Sequence, residues 1–411
     1  MTSAPRWGPR LLLGALALLP VLLLGGVVVS AELRARRLAE SLIVDANAMA
    51  GFSKQRTPHR ETKEGSVTGC LARALDTAPD VSRDAPWMSP QVMNVRFGLE
   101  PLETLPSTAL DSMTRNDPWL RETLACTHFT TLQPIAGLGP LAEPLHARRQ
   151  ALPKLQEATA SLAPLRVRLL VQHQQLREAL EVCSDGLALV ADLLWLEGPE
   201  ASLGALGEAT GLVRPCADAV WSADPALVTS FEQQLRQVRQ NTPPYSRVMQ
   251  LERVAQELRM FGTFFTAEQT GRLPIGARSM VATSASLSRG RQERVGLANW
   301  WSSSDRAFKG VIAAADLEEP SRTRAINLAQ RDFDSRWLSL VRVPPLDVRY
   351  QMYAGSHEVL PTSVELLLTT IALKRGETPV TRFIDVKERD GVVSLVPKTS
   401  EWVPLSVTLR R

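Results

Sequence analysis

The hydrophobic pattern of the chain is dominated by one uninterrupted apolar segment near its amino end. Residues 11–29 contain no charged side chain, and arginines stand on both sides of them. An α-helix of that length measures roughly 28 Å, close to the roughly 30 Å hydrocarbon core of a bilayer. The segment has no polar face, which is typical of a spanning helix and not of a helix that lies on the membrane surface. The sequence therefore predicts a membrane anchor at residues 11–29.

The length of this segment and the residues at its carboxyl end bear on whether it is retained or cleaved. Signal-peptide cores run to about 7 to 15 residues, so this longer core favours a retained anchor. The small residues Val29, Ser30 and Ala31 leave cleavage after Ala31 as the alternative, which would give a secreted protein. Arg6 and Arg10 precede the segment and three arginines, at 34, 36 and 37, follow it, so the positive-inside rule marginally favours a cytoplasmic body. The amino-terminal charge opposes this, and a large domain can be translocated largely regardless of the charge beside the anchor. We expect a single-pass protein with its body outside the cytoplasm, which is the periplasm in a bacterium.

Beyond the apolar segment, hydrophobic residues recur every three or four positions, the spacing of helices that bury one face. The clearest stripes are Leu176, Leu180, Cys183, Leu187, Val190 and Leu194; Leu203, Leu206, Leu212, Val213, Cys216 and Val220; and Val248, Leu251, Ala255, Leu258, Phe261 and Phe265. None of these helices is apolar on every face. They therefore predict a helical bundle or a stack of helical hairpins outside the membrane.

Proline and capping residues mark where these helices begin and end. Asp117-Pro118 and Asp224-Pro225 each place a side-chain acceptor before a proline at the first helical position, where the missing N–H costs nothing. Both pairs predict helix starts. Gly198-Pro199, Pro243-Pro244 and Pro344-Pro345 predict breaks between helices.

The segments on either side of the helical region differ in character. Residues 32–49 predict a helical stalk that continues the anchor, and residues 52–66 are polar enough to predict a linker. Five prolines between residues 79 and 108 predict an irregular segment that wraps over a surface, after a short helix at residues 70–75.

The carboxyl end predicts a small mixed element. Residues 363–374 have a helical pattern, and the Asp390-Gly391 pair stands between two β-rich runs, which is a strong hairpin signal because glycine accepts positive φ. Residues 402–409 could add a third strand to make a β-meander.

The predicted fold is mainly α, with an amino-terminal anchor helix, a helical bundle or helical-hairpin stack, and a small carboxyl-terminal α+β element. Its predicted segments are 1–51 (tail, anchor and stalk), 52–108 (linker and proline-rich segment), 109–345 (helical domain) and 346–411 (α+β element).

Four cysteines in an exported chain predict disulfides, and helical geometry selects the pairing. Cys183 and Cys216 lie on the inward stripes of two successive helices, and their midpoint falls at the Gly198-Pro199 break. An antiparallel hairpin turning there would bring them within the roughly 5 to 6 Å Cα separation that a disulfide needs. Cys70 and Cys126 are left to pair with each other. Four buried free thiols are the alternative.

The charge distribution argues against nucleic-acid binding. The chain carries +4, but residues 1–60 hold eight basic and three acidic residues, so the remainder is close to neutral. A nucleic-acid binder is expected to carry its positive charge as a patch on the folded domain. The overall composition, 44% hydrophobic and 22% charged, is that of a globular protein.

Catalytic and metal-binding signatures are missing from the sequence. It contains none of the nucleophile-elbow, zinc-protease, phosphate-loop or dinucleotide-binding motifs. The five histidines are scattered without metal-ligand spacing, so we expect no metal, no other cofactor and no catalytic residue. Trp300 and Trp301 form the most conspicuous aromatic pair. Neighbours on a helix point about 100° apart, so one of them is expected to pack inward while the other can be exposed. Core packing is the favoured interpretation, and an exposed contact for a protein partner is the alternative.

These features favour a protein that acts by contact and not as an enzyme. We expect a membrane-anchored extracytoplasmic helical protein with a protein partner, serving in interaction, assembly or envelope scaffolding. The alternative is an extracytoplasmic hydrolase or ligand-binding protein whose site is assembled from loops, because catalytic geometry is spatial and need not leave a motif.

Overall fold

A computed structural model describes residues 8–79, 89–134, 141, 145–197, 199–285, 291–318, 320–334, 346–398 and 406–410. The protein is mainly helical, at 74% helix. The helices are α1 (Gly8–Ala50), α2 (Val67–Asp76), α3 (Pro90–Arg96), α4 (Ser107–Ala125), α5 (Leu145–Gln172), α6 (Leu176–Glu197), α7 (Pro199–Ser222), α8 (Pro225–Asn241), α9 (Tyr245–Phe261), α10 (Ala267–Gly271), α11 (Ile275–Ala285), α12 (Arg291–Ala315), α13 (Ser321–Asp334) and α14 (Leu346–Lys374). The strands are β1 (Lys54–Gln55), β2 (Lys63–Ser66), β3 (Phe129–Leu132), β4 (Ile384–Arg389), β5 (Val392–Pro397) and β6 (Val407–Arg410).

Helix α1 is one continuous helix that includes the predicted anchor and the predicted stalk. Its carboxyl-terminal half is not a free stalk, because Ala35, Ala39 and Leu42 are buried against α9 and α12. Alanines four residues apart form a flat strip that lets a second helix approach closely. Among the described residues, no helix is sufficiently long and apolar to cross a membrane.

The main core is built from α4 to α8 together with α14 and the carboxyl-terminal strands. The predicted stripes on α6 and α9 are buried as expected, with Leu187 and Val190 of α6 fully enclosed. On α7, Leu212, Val213 and Val220 are buried, whereas the side chains of Leu203 and Leu206 lie outside the described set. Helices α6 and α7 pack together as the hairpin that the sequence predicts.

One of the two predicted aspartate–proline helix starts is confirmed and the other is wrong. The Asp224 carboxylate accepts the Leu227 N–H at 2.9 Å and begins α8, with Pro225 at the first helical position. Helix α4 instead begins at Ser107 and continues through Pro118. An interior proline costs roughly 3 kcal/mol, and the buried apolar face of α4 outweighs that cost. Asp117 pairs with Arg121 and Arg166 instead of capping. The Pro243-Pro244 break is confirmed, while Pro344-Pro345 lies outside the described residues.

The segment predicted as a linker is ordered. Strand β1 pairs antiparallel with β3, and β2 pairs parallel with the same strand, giving a sheet of order β1-β3-β2. The proline-rich segment contains α3, which begins where the Ser89 hydroxyl accepts the Val92 N–H, and a short 3-10 turn at Leu102–Thr104. Residues 80–88 lie outside the described set.

The carboxyl end forms the predicted small sheet, of order β4-β5-β6. Asp390 and Gly391 join β4 to β5 with φ of +54° and +74°, the conformation of a two-residue hairpin turn that glycine adopts without steric cost. Strand β6 supplies the expected third strand over residues 407–410, and the rest of the predicted run, with Trp402, is outside the described residues.

Candidate functional site

Two histidines and an aspartate from distant parts of the chain meet in the interior. His59 lies on the connection between β1 and β2, His128 in the 3-10 turn after α4, and Asp185 in the middle of α6. The Nε2 atoms of His59 and His128 lie 2.7 Å and 3.1 Å from the same oxygen, Oδ1 of Asp185. All three side chains are buried. The arrangement therefore directs two imidazoles and one carboxylate at a single point.

Arg60 completes the shell around this carboxylate. Its guanidinium donates to Oδ2 of Asp185 at 2.9 Å and pairs with Glu181 at 3.0 Å. Glu181 lies one turn before Asp185 on the same face of α6, and its side chain is one-third exposed. The buried end of the cluster therefore holds the histidines, and the end nearest solvent holds Arg60 and Glu181.

The surroundings keep these groups in defined protonation states. Burial lowers the pKa of His59 and outweighs the opposing effect of Asp185, so this imidazole is neutral at neutral pH. Burial acts to raise the pKa of Asp185, but hydrogen bonds from His128 and His59 outweigh it and hold that pKa below its usual range. The Nδ1 atoms of both histidines are buried, and neither has a hydrogen-bond partner among the residues that the structure describes.

A buried ion pair lies about two helical turns further along α6. Arg56 donates to Oδ1 of Asp192, and both side chains are 1% exposed. The same guanidinium donates to the carbonyl oxygens of Thr127 at 2.6 Å and Phe129 at 3.3 Å. Burial raises the pKa of Asp192 to about 6, against the opposing effect of Arg56. This pair fastens residues 52–60, which we call the amino-terminal strap, to both α6 and β3.

The strap also contacts Trp195, an aromatic residue near the carboxyl end of α6. Phe52 stacks on Trp195 with ring centroids 5.3 Å apart, and the Lys54 ammonium lies 4.1 Å from the Trp195 centroid. The Trp195 indole donates to the carbonyl oxygen of Asn241 at 2.6 Å, and the Asn241 amide donates to the carbonyl oxygen of Thr57 at 3.0 Å. The strap is therefore held to α6 along its whole length.

Both predicted disulfides are present, and each lies beside the cluster. Cys183 and Cys216 are bonded with Cα atoms 5.9 Å apart, and Cys70 and Cys126 with Cα atoms 5.4 Å apart. Cys126 precedes His128 by two residues, and Cys183 precedes Asp185 by two. Two of the three clustered side chains are therefore next to a covalent crosslink.

The cluster escapes sequence reasoning because its members are separated by 57 and 126 residues. Sequence spacing argues against a metal site, whereas the fold collects three side chains of metal-ligating type at one point. A usable signal was present on α6. Asp185 and Asp192 stand among the apolar residues of the predicted stripe, and a buried acid requires a partner.

Neither tryptophan of the predicted contact pair is exposed. Trp301 is fully buried, and it stacks on Phe261 with ring centroids 5.1 Å apart. Trp300 is half-buried and meets the same phenyl ring edge-on. The pair forms part of the second core, between α9 and α12, as core packing predicts. A partner contact at the exposed part of Trp300 stays a prediction.

Trp301 shares that core with a buried acid. Its indole donates to Oε2 of Glu257 at 3.1 Å. Burial raises the pKa of Glu257 from 4.5 to about 8, and the neighbouring Asp305 adds to the rise, against Arg253. The folded protein therefore holds this acid protonated at neutral pH, while the unfolded chain ionises it.

This difference predicts a pH dependence of stability. The folded state binds the extra proton between the unfolded and folded pKa values, so stability is full below pH 4.5 and falls as pH rises towards 8. We expect a loss of roughly 3 kcal/mol between about pH 5 and pH 7 from this group, at about 1.4 kcal/mol per pKa unit.

Glu257→Gln should remove that slope, because the amide stays neutral and can still accept from Trp301. Chemical denaturation at several pH values measures it, with the exposed Glu268→Gln as the control that retains the wild-type slope. Equal pH slopes in the wild type and Glu257→Gln would contradict the assignment.

Two cavities lie away from the cluster in the described part of the protein. The larger, of about 520 Å³, lies between α8, α14 and the loop before β4. Among its lining residues, Glu232 pairs with both Arg236 and Arg375. The smaller cavity, of about 260 Å³, is lined by α5, α7 and the 3-10 turn at Leu102–Thr104.

No protein-family model, curated protein or solved structure matches this chain. The functional conclusion therefore depends on its own residues.

Proposed function

We propose that this protein is a membrane-anchored helical protein whose disulfide-bonded body lies outside the cytoplasm and acts by contact, as an interaction, assembly or envelope-scaffolding component. The main support for the proposal is the exposed apolar surface of α1 where this helix leaves the body.

Helix α1 emerges from the body with exposed valines at three consecutive positions. Val27, Val28 and Val29 are each about half exposed, and they point about 100° apart around the helix axis. Leu22, nearer the amino end, is 69% exposed. Apolar side chains that a helix leaves exposed in several directions favour a lipid environment. This supports the anchor at residues 11–29.

The disulfides support an extracytoplasmic body. Structural disulfides form and persist in oxidising compartments and are rare in the cytosol. All four cysteines of the chain are in the two bonds, so none is a free thiol.

The packing of α1 supports a retained anchor over the secreted alternative. Ala31 is 1% exposed and belongs to the second core, and the Arg34 guanidinium donates to the Asn299 side chain at 2.9 Å. Cleavage after Ala31 would remove a residue on which α12 packs. The anchor and the body thus share one uninterrupted helix.

The interior supports contact and not turnover. The cluster at Asp185 and the pair at Asp192 are buried beneath the amino-terminal strap. In the larger cavity, Glu232 is paired with both Arg236 and Arg375. A catalytic cleft is expected to present unpaired polar groups that converge on an open pocket.

Crosslinking in intact membranes tests the proposal. The full-length protein should resist alkaline extraction and form adducts larger than itself. Replacing Leu18 and Leu19 by arginine should release it and abolish the adducts, because each central arginine adds roughly 2.5 to 3.5 kcal/mol to membrane insertion.

The matched control is Val44→Arg, on the exposed body side of α1, where Val44 is 64% exposed. It should behave as the wild type. A wild-type protein that is monomeric in the membrane and turns over a substrate would contradict a contact role.

A further inference from the structure

We propose that His59, His128 and Asp185 bind one divalent transition-metal ion, and that Zn²⁺ is the ion their chemistry fits best. This inference goes beyond the proposed function and does not depend on it, because the site is inside the body and would bind whether or not α1 is embedded in lipid.

The ligand atoms already have nearly the required spacing. One ligand atom from each of the three residues, a ring nitrogen from each histidine and a carboxylate oxygen of Asp185, lies within 4.8 Å of the other two. In a tetrahedral site with bonds of about 2.0 Å, neighbouring ligand atoms are roughly 3.3 Å apart. The observed separations from Oδ1 of Asp185 are 2.7 Å for His59 and 3.1 Å for His128. The ion therefore requires the His59 nitrogen to move away from that oxygen by about 0.6 Å and the His128 nitrogen by about 0.2 Å.

The donor set selects the ion. Two imidazole nitrogens with one carboxylate oxygen suit zinc and similar first-row ions, whereas Ca²⁺ and Mg²⁺ prefer oxygen ligands throughout. Both cysteine pairs are oxidised, so no thiolate among these residues competes for a softer ion. Three protein ligands leave the fourth tetrahedral position to a water molecule.

The surroundings hold the ligands in place. Arg60 occupies Oδ2 of Asp185 and leaves Oδ1 facing the histidines, the role of an outer partner that orients a metal-binding carboxylate. His128 and Asp185 each lie two residues from a disulfide cysteine. His59 is on the strap that Arg56 fastens to α6.

The cluster is nearest to solvent at the Arg60 end. The side chains of Arg60 and Glu181 are 15% and 32% exposed, while the histidines beneath them are almost completely enclosed. Arg60 pairs with both Glu181 and Asp185, so the ion reaches the histidines when the Arg60 side chain moves aside.

The test is a zinc titration of the full-length protein in detergent, stripped of metal by a chelator and followed by calorimetry. We expect one Zn²⁺ per chain. His59→Gln, His128→Gln and Asp185→Asn should each weaken binding at least tenfold, because each removes one of three ligands. His173→Gln replaces an exposed histidine and should leave binding unchanged.

A measurement on the wild type alone decides the case if a variant fails to fold. X-ray absorption at the zinc edge should show two imidazoles, oxygen ligands and no sulfur, and added Zn²⁺ should raise the thermal midpoint. The proposal is overturned by a wild-type protein that binds no zinc at millimolar concentration, by binding that His59→Gln and His128→Gln leave unchanged, or by a shell with fewer than two imidazoles. These outcomes do not affect the anchor, which membrane extraction tests separately.

Discussion

Arg56→Met is expected to lower the free energy of unfolding by roughly 3 to 5 kcal/mol, the range for breaking a buried ion pair by removing one partner. The substitution leaves the buried Asp192 carboxylate without its cation and removes the donor to the Thr127 and Phe129 carbonyls. Denaturant unfolding, followed by tryptophan fluorescence and circular dichroism, measures the loss.

The matched control is Arg121→Met, which removes an ion pair to Asp117 whose arginine is 61% exposed and leaves Asp117 paired with Arg166. Exposed pairs contribute about 1 kcal/mol or less, so this variant should remain close to the wild type. Adding Asp192→Leu to Arg56→Met should recover much of the stability, because an apolar pair can replace a buried ion pair. An Arg56→Met protein as stable as Arg121→Met would show that the strap is not fastened as described.

Replacing Cys70 and Cys126 together by alanine is expected to lower stability by about 4 kcal/mol. The bond closes a loop of 56 residues, and chain-entropy arithmetic for a loop of that length gives this figure. This bond joins α2 to the 3-10 turn that contains His128. Unfolding of the double variant under non-reducing conditions measures it.

The comparison is the Cys183 and Cys216 double variant, which opens a loop of 33 residues. Its entropic loss should be smaller by about 0.5 kcal/mol. Reduction of the wild type should lower stability more than either pair alone. A Cys70 and Cys126 variant that unfolds at the wild-type denaturant concentration would contradict the crosslink.

Regular periodicity made part of this fold predictable. The stripes on α6 and α7 are local patterns, and the Gly198-Pro199 pair separates them in the sequence. The hairpin and the Cys183–Cys216 bond therefore follow from residue spacing. The β4-β5 turn was predictable for the same reason, because Asp390-Gly391 specifies its own backbone conformation.

The strap was not predictable because its polar composition is that of a linker. Arg56 and His59 are charged or titratable residues that belong to the interior only when α6 supplies Asp192 and Asp185. That complementarity lies in the tertiary structure and leaves no periodic signal. For the same reason the sequence does not predict the histidine–aspartate cluster, whose members lie in three separate parts of the chain.

The carboxyl-terminal half of helix α1 packs on the body, whereas its sequence predicts a free stalk. The alanines at positions 31, 35, 39 and 46 appear in sequence as neutral helix formers, and the interpretation as a stalk followed from that. In the structure they are the buried strip against the second core. In α1, small residues therefore mark the face that packs closely on other helices.

Topology in cells that express the full-length chain tests the central claim most directly. Protease added outside intact cells or spheroplasts should digest the body, and the intact mass of the protein from the membrane fraction should show the α1 segment retained and all four cysteines oxidised. A body that is protected from external protease and carries reduced cysteines, or a mature chain that begins at Glu32, would contradict the account.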